Sequence, residues 1–124
     1  MSPEAVFETA LRGLRLLHRG KVRDLYELDE HHLLMVATDR LSAFDVVLPD
    51  PIPGKGRVLT QISSFWFERT RHIVPNHLTD YALAAWVHDP QELALLEGRA
   101  VVVKRLRPLP VEVVVRGYLI GSGW

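Results

Sequence analysis

Residues 14–39 read LRLLHRGKVRDLYELDEHHLLMVATD, three apolar runs separated by Arg19-Gly20-Lys21 and by Asp29-Glu30-His31-His32. Apolar runs this short, cut by polar turns, predict strand, turn, strand, turn, strand: an antiparallel meander. Any fold for the chain is therefore built round a sheet. With 124 residues, 48% of them hydrophobic, the chain suits one compact domain with a modest core.

The flanking segments predict what is added to that sheet. Ser2 and Pro3 suit a helix cap and first helical position, and Phe7 and Leu11 share a face, so a short amphipathic helix is expected over 3–12. Residues 48–56, LPDPIPGKG, hold three prolines and two glycines and predict a loop or flap. From Arg57 the apolar period becomes helical through Val58, Ile62, Phe65, Trp66, Arg69 and Ile73, and Pro75 ends it. Phe65-Trp66-Phe67 reads as helix core rather than as a base-stacking platform. Asp89-Pro90-Gln91-Glu92 has the form of a capping box, with Gly98 as the stop of a second helix. Residues 99–106 and 111–115 predict two strands joined by the rigid connector RPLP. The fold class is α+β: an antiparallel sheet with two or three helices.

Charge and composition exclude several functions. Lys+Arg and Asp+Glu are both 15, so no global positive field draws nucleic acid or an anionic membrane, and anion recognition must be local. Without cysteine there are no disulfides, thiolate nucleophiles or sulfur-based zinc sites. The N-terminus lacks a signal-peptide pattern and no apolar run approaches the ~18 residues of a membrane span. A cytoplasmic protein is expected. The six histidines show no metal spacing and are expected at the surface.

Four stretches carry candidate chemistry. In HRGKVRDLY, Gly20 lies between basic residues and strand alternation puts Lys21 and Arg23 on one side of the hairpin, which suits a polyphosphate or, equally, a solvated edge. TDRLSAFDVVLPD gathers Asp39, Arg40, Ser42, Asp45 and Asp50 at a strand's end, either a small-molecule site or a capped turn. Lys55, between two glycines at the foot of the long helix, suits an anion at a helix N-terminus or a plain loop. Arg116, ending the valine run before GYLIGSG, and Ser122 could hold a phosphate monoester, the alternative being a strand end in solvent.

Three longer stretches, GKVRDLY at 20–26, ATDRLSAFDVVLPDPIPGKGRVLTQISSFWFE at 37–68 and PVEVVVRGYLIGSGW at 110–124, together resemble the N-terminal part of the SAICAR synthetase family, in order and over nearly the whole chain. The resemblance implies a ligase of de novo purine biosynthesis that joins L-aspartate to CAIR, a carboxylated aminoimidazole ribotide, with ATP and Mg²⁺. It implies a sheet-rich N-terminal region closing over ATP, in an arrangement similar to ATP-grasp proteins. Gly20, Lys21 and Arg23 then cover the phosphates. RLRPLP corresponds to the adenine hinge, flanked by Lys104 and Glu112. Arg116 and Ser122 match the positions holding the ribotide phosphate, Ser42 and Asp45 line the CAIR and aspartate region, and Lys55 joins them as a substrate-binding candidate. No catalytic residue is assigned, and metal ligands are expected beyond residue 124. Family members continue well past GSGW, so residues 1–124 are expected to be a single nucleotide-binding domain, a fragment of a longer enzyme. The partners implied are small molecules, not nucleic acid or membrane, with a homo-oligomer left open. The competing readings are a nucleotide-binding module without complete activity of its own and a structural or interaction domain that binds no nucleotide.

Overall fold

The computed structural model describes residues 5–119 and 121. Strands β1 (Arg15–Arg19), β2 (Arg23–Glu27) and β3 (His32–Ala37) form the expected meander, and β6 (Ala100–Lys104) adds antiparallel to β3, giving the order β1-β2-β3-β6. A two-residue hairpin, β4 (Ser42–Ala43) with β5 (Val46–Val47), follows β3, and helix α1 (Lys55–Thr70) and the short α2 (Pro90–Leu96) complete the α+β fold. No helix among the described residues is long and apolar enough to cross a membrane.

Period-two alternation sorts the sheet's faces. The register aligns Tyr26 with Leu34 and Leu34 with Val102. That row, with Leu11, Val36, Val87 and Leu96, forms the buried core beneath α2 and the N-terminal segment. The opposite face carries Arg23, Leu25, Met35, Ala37 and Val101 in register. Asp89 caps α2 by accepting from the Gln91 amide at 2.8 Å, and Gly98 takes a left-handed φ of 78° beyond its end. The capping box is half realised, because the Glu92 carboxylate accepts the Arg12 amide at 2.8 Å instead.

Four expectations are corrected. Residues 5–12 are not helical. Their amides are taken by buried side chains: Val6 N–H donates to Asp39 at 2.9 Å, Thr9 N–H to Asp24 at 3.0 Å and Leu11 N–H to the Tyr26 hydroxyl at 3.3 Å. These bonds hold the segment extended along the sheet. Residues 111–115 form no strand and are exposed. The free edge of β6 is already taken, with the Lys104 amide donating to His77 O at 2.8 Å and the Thr79 amide to Val102 O at 3.2 Å, so a valine run has no ladder to join there. The apolar stripe of α1 faces away from the sheet, with Val58, Ile62, Phe65, Trp66 and Ile73 all exposed. Two histidines, His32 in β3 and His77, are half-buried rather than at the surface.

What orients α1 is a buried carboxylate. Asp39 accepts from the Gly56 amide at 2.8 Å, from Val6 N–H at 2.9 Å, and from both terminal nitrogens of Arg99 at 2.9 and 3.2 Å. A Cβ on Gly56 would run into the Ala37 carbonyl and lie 2.8 Å from Arg99 Nη1, so only glycine lets the helix approach this closely. Asp24, equally buried, accepts from Thr9 Oγ1 at 2.7 Å, Arg40 Nη2 at 2.9 Å and Arg19 Nε at 3.1 Å.

Two outcomes are expected. Gly56→Ala should lower stability by about 2 kcal/mol or more, the cost of overpacking against fixed backbone, as read by urea unfolding. Burial alone would raise the Asp24 and Asp39 carboxyls; hydrogen bonds from Thr9 and Arg40 to Asp24, and from Arg99, Val6 and Gly56 to Asp39, outweigh it and hold both below the ordinary value. Their stabilisation is therefore complete above the unfolded-state value of ~3.9 and is lost as pH falls through the lower folded values. Melting temperature should begin to decline below about pH 6.5, where the half-buried His77 is protonated more readily unfolded than folded, and fall steeply below about pH 4 as the two carboxylates protonate, whereas Asp39→Asn should cost about 3–5 kcal/mol at neutral pH.

Candidate functional site

Between α1 and the outer face of the sheet lies a cavity of about 380 Å³, within the ~300–1,000 Å³ of small-molecule pockets. Met35, Ala37 and Val101 form its floor, Leu59 and Phe67 its apolar wall, and Thr60, Ser63, Ser64 and Thr38 supply hydroxyls. Arg23 and Lys55 bring positive charge, and among the described residues no acidic side chain lines it. Arg99 also lines it, and its Nε–H is buried without an acceptor among the described residues, a donor that a polar ligand or water could satisfy. A second, more open depression of about 550 Å³ adjoins it across Phe67 and His77, whose rings meet edge to face at 5.1 Å, and reaches Lys104 and Leu106. Burial, and next the Arg23 charge, push the His77 imidazole below its ordinary value, so it is neutral at pH 7. The resulting groove is basic at one end and apolar along its length.

Lys55 reaches the cavity because Gly54, at φ 81°, turns the chain into the first turn of α1. At the mouth, the β1–β2 turn contributes Val22 and Arg23 to the lining, and Arg23 Nη1 donates to Met35 Sδ at 3.3 Å. Lys21, two residues earlier, is exposed and pairs with Asp45 at the tip of the β4–β5 hairpin. The two basic side chains of the turn thus meet different neighbours, since Lys21 precedes the strand whose alternation would align it with Arg23. The hydrogen bond and charge of Lys21 hold the Asp45 carboxyl below its usual range. Phe44 and Asp45 both have positive φ, 51° and 62°, and Phe44 is fully exposed, a strained tip for residues other than glycine or asparagine.

The structure brings Arg23 and Lys55 together on one cavity, with Gly20 and Lys21 on the turn at its mouth. Ser42 is half-buried in β4, two peptide steps from the tip that carries Asp45. Lys104 ends β6 beside the second depression, its ammonium 3.3 Å from the Asn76 carbonyl. Glu112 and Arg116 lie in the exposed segment after β6. Ser122 lies outside the described residues. Asp39 and Arg40, read from sequence among the polar groups of a small-molecule site, are buried framework. Thr38, His77 and Arg99 carried no signal of a site in the sequence, because only packing brings them to the cavity. Among the described residues no group of three or more His, Asp or Glu side chains is placed to hold a metal ion.

Comparison with known proteins identifies the family. The SAICAR synthetase family model matches residues 16–124. The chain is 67% identical over 123 residues to phosphoribosylaminoimidazole-succinocarboxamide synthase of Methylococcus capsulatus, covering 99% of this chain and 41% of that relative. The structure of SAICAR synthase from Saccharomyces cerevisiae complexed with SAICAR superposes with a TM-score of 0.87 at 43% identity, covering 95% of this chain and 42% of the other. A type-2 SAICAR synthetase in complex with ADP shares the fold alone, with a TM-score of 0.58 at 23% identity over 75% of this chain and 34% of the other. The chain therefore spans well under half the length of these relatives, and over that span its sequence and its fold place it in the SAICAR synthetase family.

Proposed function

We propose that this chain supplies the nucleotide-binding part of an ATP-dependent ligase that joins L-aspartate to the carboxylate of CAIR, giving SAICAR. The observation that carries the reading is the groove between α1 and the sheet, with Arg23 and Lys55 at one end, an apolar floor, and no acidic lining among the described residues. A triphosphate fits the basic end, and the base lies along Met35 and Val101 toward Lys104 and the connector after β6. Gly20, Lys21, Arg23, Lys104 and Glu112 are assigned to the nucleotide, and Ser42, Asp45, Lys55, Arg116 and Ser122 to the substrates.

A carboxylate is a poor acyl donor because its carbonyl carbon is electron-rich and its leaving group would be oxide. Transfer of the γ-phosphoryl group of ATP to a carboxylate oxygen gives an acyl phosphate and ADP. The aspartate amine then attacks the carbonyl carbon, the C–O bond to phosphate breaks, and the nitrogen loses a proton to leave the amide. Such chemistry asks the protein for positioning and charge neutralisation rather than a covalent nucleophile, which suits a chain without cysteine. Mg²⁺, when bound, would add neutralisation of the phosphates. The part of this chain is to seat the nucleotide: Arg23 offsets phosphate charge, Lys55 meets the substrates at the same end of the groove, and Lys21 can exchange its carboxylate partner, Asp45, for a phosphate oxygen.

That exchange gives opposite signs for two variants. Lys21→Ala should weaken ATP binding roughly ten- to a hundredfold, as loss of a charge-assisted hydrogen bond does. Asp45→Asn should strengthen it by roughly two- to fivefold, since an exposed competing ion pair is lost. Calorimetry at moderate salt measures both, and equal affinity in all three proteins would return Lys21 to a solvated turn. For the substrate side, Arg116→Lys in an enzyme of full family length should raise the KM for CAIR about ten- to a hundredfold with the KM for ATP unchanged, because lysine keeps the charge and loses the two-pronged geometry. An equal shift in both constants would place Arg116 on the nucleotide instead.

A further inference from the structure

The basic turn is held from behind. Arg40 is buried, and its guanidinium makes four hydrogen bonds: Nε donates to Lys21 O at 3.0 Å, Nη2 to Gly20 O at 3.0 Å and to Asp24 Oδ1 at 2.9 Å, and Nη1 to Phe7 O at 2.8 Å. Thr38 continues the pattern, its amide and hydroxyl both donating to Val22 O at 3.0 and 2.6 Å. Arg23 O accepts the Gly20 amide at 2.8 Å. The carbonyls of residues 20, 21, 22 and 23 are thus all engaged within the protein.

A trans peptide sets its N–H opposite its C=O, and the described residues contain no cis bond. With the Gly20 and Lys21 carbonyls turned to Arg40, the amides of Lys21 and Val22 are directed away from it. Neither donates to any described residue. Two successive outward amides in a turn make a concavity for an anion, and a carbonyl on the same face would repel one. The Arg40 charge is matched by Asp24 at 2.9 Å, so what Arg40 contributes is the planar fork rather than net positive charge.

We propose that Arg40 and Thr38 are positioning residues: they hold the turn's carbonyls inward so that the Lys21 and Val22 amides, together with the Lys21 ammonium, present a donor cradle to a phosphoryl oxygen of the bound ligand. This rests on the nucleotide reading above and adds to it Arg40, which shapes the turn from behind, and Thr38, whose hydroxyl proton is committed to Val22 O. Thr38-Asp39-Arg40 would then serve one site through two routes, Asp39 placing the start of α1 with Lys55 and its neighbours placing the turn.

The test uses the 124-residue chain, inorganic triphosphate as probe, calorimetry for affinity and ¹⁵N–¹H spectra for the amides. In the parent, triphosphate should shift the Lys21 and Val22 amides. Arg40→Lys keeps the charge beside Asp24 and loses the fork, and should raise the Kd at least about tenfold and abolish those two shifts. Thr38→Val, which keeps the side chain's shape, should raise the Kd about two- to fivefold. A purely structural Arg40 would leave the amide shifts in place, so a folded Arg40→Lys protein with parental Kd and shifts overturns the proposal. Should Arg40→Lys fail to fold, Thr38→Val decides, and parental behaviour there overturns it. Triphosphate binding by the parent without movement at Lys21 or Val22 overturns the cradle alone, whereas no binding by the parent overturns the nucleotide reading with it.

Discussion

The carboxylate of Asp39 is the contact on which the rest of the structure depends. It receives four donors from three remote parts of the chain, the N-terminal segment at Val6, the start of α1 at Gly56, and Arg99 at the head of β6. A buried carboxylate is tolerated only when fully paired. The consequence is geometric. Gly56 is pinned against the Ala37 carbonyl, which fixes both where α1 begins and how it is rotated. Thr60, Ser63, Ser64 and Phe67 then follow at helical spacing on the face that lines the cavity. The larger apolar stripe of Val58, Ile62 and Trp66 is left on the other side. Helix orientation here follows a hydrogen-bonded pin rather than hydrophobicity.

The electrostatic organisation has two layers. The inner layer is paired one to one, Asp24 with Arg40 and Asp39 with Arg99 within hydrogen-bond distance, and Arg19 links Asp24 to the exposed Glu8. The outer layer is not. Arg23 and Lys55 line a cavity without a carboxylate among the described residues, and Lys21 has an exposed partner that it can exchange. A protein with no net charge can in this way present a local positive potential, since paired interior charges cancel at short range and those at the cavity do not.

Strand pairing was decided by edge occupancy. The chain has two valine-rich runs near its end with comparable β propensity. One became β6 because β3 offers it a ladder and both of its faces are covered there, leaving Val102 and Val103, on opposite faces, nearly inaccessible. The other found the far edge of β6 held by residues 77–79. Propensity states that a residue fits a pleated surface; whether a surface remains for it is a property of the whole fold.

The sequence by itself determined the meander, both turns between its strands, the proline-rich loop before α1, the start of α2, and the basic residues that gather at the cavity mouth, whereas α1 begins at Lys55, ahead of its apolar period from Arg57. These are local: short apolar runs, glycine and proline punctuation, and a capping aspartate act within a few residues. The N-terminal segment, the rotation of α1, the fate of residues 111–115 and the roles of Asp39, Arg40 and Arg99 were decided only by tertiary structure. An amide that can donate to its own helix or to a distant carboxylate looks the same in sequence. An aspartate at a strand's end reads alike whether it faces a ligand or four buried donors. Contacts such as Arg99 with Asp39 span 60 residues, and no local pattern records which polar groups the folded chain brings face to face.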